Sequence, residues 1–140
     1  MNFGMIGPGV VLALGCIGSA VGCTIAGSAS HGAMTHVEEG HGRLIGLSAM
    51  PASQAIYSFV LMVLMSGKIR ASSLDPFVAL GLALFAGLAE MISAIYQGKV
   101  AATAIQATAK RPAVFGKSAI APTVVETFSL FVFVFTLMLI

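Results

Sequence analysis

Ala119-Ile120-Ala121-Pro122-Thr123-Val124-Val125-Glu126-Thr127-Phe128-Ser129 places one carboxylate inside an apolar run that continues to Ile140. An earlier stretch, Ser48-Ala49-Met50-Pro51-Ala52-Ser53-Gln54-Ala55-Ile56-Tyr57-Ser58, has the same outline. Setting Pro51 against Pro122 puts Ala55 opposite Glu126, Tyr57 opposite Phe128 and Ser58 opposite Ser129. A repeat of about 70 residues implies two homologous helical hairpins. The second keeps a carboxylate where the first has alanine. A carboxylate mid-span in hydrocarbon costs at least ~2.5–3.5 kcal/mol on insertion scales, and far more if it stays ionised and unpaired. A chain tolerates such a residue when it carries an ion or a proton.

The remaining composition agrees with a membrane setting. Of 140 residues, 58% are apolar and 9% charged, with a mean hydropathy of +1.00. A soluble domain would be about a quarter charged. Four segments, roughly 5–30, 44–66, 76–106 and 115–140, reach the ~20 apolar residues that a spanning helix needs. The fold class expected is therefore an all-α membrane protein of four transmembrane helices. The first hairpin occupies residues 1–72 and the second 73–140. The connections leave no room for a soluble domain, so any nucleotide binds elsewhere. No nucleophile–base pair or phosphate-binding pattern is present, so no catalytic site, organic cofactor or nucleic-acid partner is expected. The N-terminal Met1-Asn2-Phe3-Gly4-Met5 lacks a positive n-region, and the first run reads as a retained helix. Cys16 and Cys23 lie ~10 Å apart on one helix and cannot pair with each other.

Segments one and three carry small residues at four-residue spacing: Gly18, Gly22, Ala26 and Ser30, then Ala94, Gly98 and Ala102. Small residues let helix backbones approach closely in lipid. Tight packing within one bundle and a crowded inner layer of a larger assembly both fit. Segments two and four end in bulky runs, Phe59–Met65 and Phe131–Phe135, which suit contact with acyl chains. This contrast favours a layered assembly. Arg43, Lys110, Arg111 and Lys117 fall on one side of the membrane; Lys68 and Arg70 fall on the other. The excess makes the 31–43 and 107–116 loops cytoplasmic and puts both termini outside.

Helix rise brings polar residues of three segments to one depth. Glu126 lies ~13 Å beyond Lys117, Gln54 ~16 Å beyond Arg43, and Gln97 ~20 Å before Lys110. Met50, Ser53, Gln54 and Tyr57 share one helix face. Ser53, Gln54 and Gln97 offer oxygens, and Tyr57 a phenol donor for a carboxylate. Pro51 removes an N–H and is expected to free the Leu47 carbonyl; Pro122 does the same for Ser118. Oxygen ligands around one carboxylate suit a hard monovalent cation. Interhelical hydrogen bonding without an ion is the plainer reading of the same side chains.

Pro51-Ala52-Ser53-Gln54, Gln97-Gly98-Lys99-Val100-Ala101 and Val125-Glu126-Thr127 together resemble the membrane-rotor proteolipid, the K or c subunit, of V-type and V/A-type rotary ATPases. The resemblance covers the whole chain. It implies a closed ring of identical subunits turning in lipid against a stator membrane subunit, with a central-stalk subunit on the cytoplasmic side. It also implies a sodium site made of the Met50 carbonyl and the side chains of Ser53, Gln54, Gln97 and Glu126, with Tyr57 bonding the carboxylate. Loss of the Pro51 N–H points to the Leu47 carbonyl as a ligand, whereas the resemblance implies the Met50 carbonyl, which is the oxygen expected here. Cargo Na+ is favoured over H+, because a proton needs only the carboxyl and one acceptor. A small stand-alone four-helix antiporter is the rival reading, but it leaves the duplication unexplained.

Glu90 departs from the family pattern. It lies ~10 Å from Gln97 on the same helix face. It could line an access route, pack as a protonated acid, or bond a neighbouring subunit. Lys99 is expected to snorkel toward the cytoplasmic surface. His31, Glu38, Glu39, His36 and His41 read as a solvated loop rather than a metal site.

Overall fold

Helix boundaries follow from identifiable start and stop signals. The computed structural model describes residues 3–140. After a 3₁₀ turn at Phe3–Met5, α1 runs over Ile6–Met34. Next come α2 (His41–Ala49), a 3₁₀ turn at Met50–Ala52, and α3 (Ser53–Arg70). Then α4 covers Pro76–Lys110, and a 3₁₀ turn at Pro112–Val114 leads into α5 (Phe115–Leu139). Gly40, at φ 81°, supplies the left-handed residue that starts α2. At the end of α3 the Ser73 N–H reaches the Lys68 carbonyl and the Ser72 N–H the Ile69 carbonyl. This helix stop puts its left-handed residue at Ser72 (φ 57°), where glycine is usual. Asp75 then caps α4 by accepting from the Phe77 and Val78 N–H groups at 2.9 and 3.1 Å, with Pro76 at the first helical position.

Ile6–Met34, His41–Arg70, Pro76–Lys110 and Pro112–Leu139 are each long and apolar enough to span a membrane. The helices run several residues past the apolar segments expected from sequence. At 1.5 Å per residue α4 is about 50 Å long, more than the ~30 Å hydrocarbon core, so its ends project into the headgroup layers.

The backbones of α1 and α4 pack closely against each other. A Cβ on Gly18 would stand 2.4 Å from the Met91 Cα; one on Gly22 would stand 2.3 Å from the Ala94 oxygen; one on Gly98 would stand 2.3 Å from the Gly22 oxygen. The two small-residue rows therefore meet inside one chain. On α1 the row is the expected one, with Gly18, Gly22, Ala26 and Ser30 all buried. On α4 it differs, because Ala102 is half-exposed and the buried row passes through Ala94, Gly98, Ala101 and Ile105. A strict spacing of four drifts off the contact face of a 3.6-residue helix, so threes and fours must mix.

Two apolar cores flank the middle of the bundle. Val11, Leu61, Met65, Leu74, Ala79, Ala83 and Ala86 fill the end nearest the 71–75 connection. Ala26, Leu44, Leu47, Ala101, Ala104 and Ile105 fill the other. Between them lies a polar layer. Phe59, Val63, Phe131 and Phe135 are exposed, as the bulky runs of α3 and α5 require.

Candidate functional site

Pro51 shapes the second span locally. Its missing N–H breaks the α-helical ladder, and the chain tightens into the 3₁₀ turn Met50–Ala52 before α3 begins. The Leu47 carbonyl is not left free, contrary to the proline argument, because the Met50 N–H donates to it. The Met50 carbonyl accepts from the Ser53 N–H and from Ser53 Oγ, the latter at 3.1 Å. The turn thus gathers Met50 O, Ser53 Oγ and the start of the Gln54 side chain at one place.

From there a hydrogen-bonded chain crosses three helices. Ser53 Oγ donates to Gln54 Oε1 at 3.3 Å, and Gln54 Nε2 donates to Gln97 Oε1 at 2.8 Å. Gln97 Nε2 donates to Glu126 Oε2 at 3.3 Å and to the Pro122 carbonyl at 3.2 Å. The other carboxylate oxygen, Glu126 Oε1, accepts from Tyr57 at 2.9 Å. Gln54 and Gln97 are completely buried, whereas Tyr57 and Glu126 are half-exposed. The equal depths read from helix rise are therefore hydrogen-bonding distances. Met50, Ser53, Gln54, Tyr57, Gln97 and Glu126 all join this chain.

Both oxygens of Glu126 receive a donor, so an ionised carboxylate is compensated here without a cationic side chain. The two glutamines act as N–H donors toward it. Half-turning an amide about its last bond exchanges N–H for oxygen at the same position, so the same shell can present oxygens instead. The Tyr57 ring leans on Phe133, with centroids 5.3 Å apart. Ser93 Oγ donates to the Val125 carbonyl at 3.3 Å, tying α4 to α5 beside the carboxylate.

Two contributors were missed or misplaced at the level of sequence. Proline argued for a freed Ser118 carbonyl, yet it is the Pro122 carbonyl that Gln97 engages. Phe133 had no signal beyond its place seven residues after Glu126. Lys99 Nζ lies 4.8 Å from the centroid of the Tyr96 ring, three residues earlier on α4. Helical Cα–Cβ bonds point toward the N-terminus, and the aromatic face rewards that direction. At the loop, the His41 ring lies 2.9 Å from the Val37 carbonyl. Glu90 is completely buried, and Ser129 Oγ donates to its Oε2. Both groups belong to one chain, so this bond ties α4 to α5 within the subunit.

The family of the ATP synthase C subunit matches this chain twice, over residues 6–65 and 80–139. An A-type ATP synthase subunit K from Methanocaldococcus jannaschii is 29% identical over 124 residues, covering 89% of this chain and 55% of the relative. A V-type sodium ATPase subunit K from Enterococcus hirae is 33% identical over 126 residues, covering 89% of this chain and 81% of the relative. The chain thus spans little more than half the length of the first relative and most of the second. A stand-alone antiporter does not fit a chain matched twice along its length by one rotary-ATPase subunit family. Two duplicated hairpins of membrane-spanning helices, fit for assembly into a ring, make this chain a member of the family of the ATP synthase C subunit, the non-catalytic membrane proteolipids of rotary ATPases.

Proposed function

We propose that this chain is the ion-carrying rotor subunit of a V-type ATPase, and that each copy binds one Na+ at Glu126. The single observation that carries the reading is the polar layer in which Glu126, Gln97, Gln54 and Ser53 are linked side by side within an apolar bundle. A layer built only for a proton would need the carboxyl and one acceptor. This one holds three more oxygen-bearing side chains and the Met50 carbonyl, a set suited to a hard monovalent cation. The E. hirae relative, described as a sodium ATPase subunit, supports the same cargo.

In this reading Na+ neutralises Glu126 and receives oxygens from Met50, Ser53, Gln54 and Gln97, while Tyr57 holds the carboxylate in place. The neutral site can then face lipid, because its net charge is zero. Identical subunits form the ring, a stator membrane subunit opens a water path where the ion is released, and a central-stalk subunit on the cytoplasmic side transmits rotation driven by ATP hydrolysis. The 31–43 and 107–116 loops face the cytoplasm, both termini lie outside, and the hairpins divide between residues 72 and 73.

Carbodiimide labelling of purified rings tests the cargo. The reagent modifies protonated carboxyls in apolar surroundings, and a bound cation keeps Glu126 ionised and shielded. Millimolar sodium should slow labelling of Glu126 near neutral pH, and less so as pH falls. An unchanged rate would reject sodium and leave the proton as cargo.

A further inference from the structure

Glu90 is a second carboxyl in the middle of the bundle, and the ion site does not use it. None of its surface is exposed. Ser129 Oγ donates to one oxygen, and Glu90 Oε1 is buried with no partner. Ser58 Oγ is also buried with no partner, and it lies at the same level. That level is set through α1: Gly15 sits against Ser58, while the neighbouring Leu14 and Gly18 face Gly87 and Met91 on either side of Glu90. A second polar layer therefore lies along the bundle from the first, made of Glu90, Ser129 and Ser58.

Among the described residues no basic side chain belongs to this layer. The nearest basic residues on each packed element are Lys99 on α4, Lys117 on α5, Lys68 on α3 and His31 on α1. Counted from Glu90, Ser129, Ser58 and Gly15, they lie roughly 13, 18, 15 and 24 Å away along the helix axes. The nearest titratable groups are Glu126, three residues before Ser129, Tyr57, beside Ser58, and the exposed Cys16, beside Gly15; none can supply positive charge. Two hydroxyls and one carboxyl are too few oxygens for a sodium shell, and an ionised carboxylate with one donor and no counter-charge is the costliest occupant of a dry site. A proton requires only one added hydrogen and makes the group neutral.

We propose that Glu90 is a second proton-binding carboxyl in each subunit, holding its proton permanently and tying α4 to α5 through Ser129. It is a positioning group, not a carrier. Glu126 is half-exposed and can meet a stator, whereas Glu90 is enclosed by its own chain. The Glu90–Ser129 tie is anchored three residues from Glu126 and fixes the turn of α5 that presents the exchanging carboxylate.

Infrared spectra of intact detergent-purified rings, with the glutamate carboxyl carbons isotopically labelled, test this independently of the cargo. Wild-type rings at neutral pH should show a carboxylic-acid band that saturating sodium leaves unchanged, and Glu90→Gln should abolish that band. Glu126→Gln should leave it intact. A sodium-sensitive acid band that disappears in Glu126→Gln belongs to the ion site and bears on cargo alone. Absence of any sodium-insensitive acid band in wild-type rings, or its persistence in Glu90→Gln, would overturn the proposal. The wild-type spectrum decides even if the variant does not assemble. Glu90→Gln, neutral and of the same shape, should also keep the half-protecting sodium concentration within about twofold, whereas Ser129→Ala should raise it several-fold.

Discussion

Tyr57→Phe isolates one hydrogen bond to the Glu126 carboxylate, the proposed carrier. Phenylalanine keeps the ring and its contact with Phe133, so the packing around the site survives. What is lost is the 2.9 Å bond from the phenol to Glu126 Oε1. A hydrogen bond to a charged group contributes about 1.5–3 kcal/mol. Tyr57 and Glu126 are both half-exposed, which favours the lower end. Since 1.4 kcal/mol is a factor of ten in affinity, sodium binding should weaken about tenfold. The assay is the carbodiimide labelling rate of purified rings titrated with sodium at fixed pH. The half-protecting concentration should rise about tenfold while labelling without sodium persists. A variant that matches wild type within about twofold would refute the idea that Tyr57 holds the carboxylate for the ion.

Gln97→Leu should cost more, because Gln97 joins Gln54, Pro122 and Glu126; loss of sodium protection by ~100-fold or more, with labelling retained, is the expected result in the same assay. Gly22→Ala should sharply lower the yield of assembled rings, since its Cβ would meet the Ala94 oxygen at 2.3 Å. Gly27→Ala, with open space around it inside the chain, should leave the α1–α4 packing and the folding of the subunit intact and serves as the control. Ser72→Gly should stabilise the rings by about 1 kcal/mol, read as a higher melting temperature, because a non-glycine residue in the left-handed region is strained. A cysteine at Ser73 should react with an impermeant thiol reagent from outside only; labelling from the cytoplasmic face would invert the topology.

Much of the candidate site's polar layer was legible because it depends on quantities that helices express along one dimension. Spacing put Ser53, Gln54 and Tyr57 on one face, and rise put Gln97 and Glu126 at their level. What failed depended on rotation and local relaxation. The Leu47 carbonyl was expected to be free because a proline removes a partner, but a 3₁₀ turn supplied the Met50 N–H instead. The Glu90–Ser129 pair needed the rotation of α4 against α5, which no single-helix pattern contains. That Lys99 Nζ lies over the Tyr96 ring, three residues earlier on α4, depends on side-chain rotamers that helix spacing does not specify. The choice between donor and acceptor for each glutamine amide is likewise set by partners on other helices.

The duplication explains why the charge is one-sided. Gly22 and Gly98 face each other, and in that register Leu14 stands where Glu90 stands, eight residues before each glycine. Val21 stands where Gln97 stands, and Ala55 where Glu126 stands. The first hairpin thus lacks both carboxylates and the glutamine that links Glu126 to α3. In their place the Ala55 N–H donates to Ser19 Oγ at 3.0 Å, and Gly15 lets Ser58 come against α1 with its Oγ unpartnered. Restoring a glutamate at position 55 alone would bring a charge without the donors that compensate Glu126. Four spans then share the one carboxylate of the proposed ion site. In a rotor of the proposed kind this halves the ions moved per turn relative to one carboxylate per hairpin. The same ATP free energy is divided among fewer ions, so each can be driven against a steeper gradient, as a pump requires.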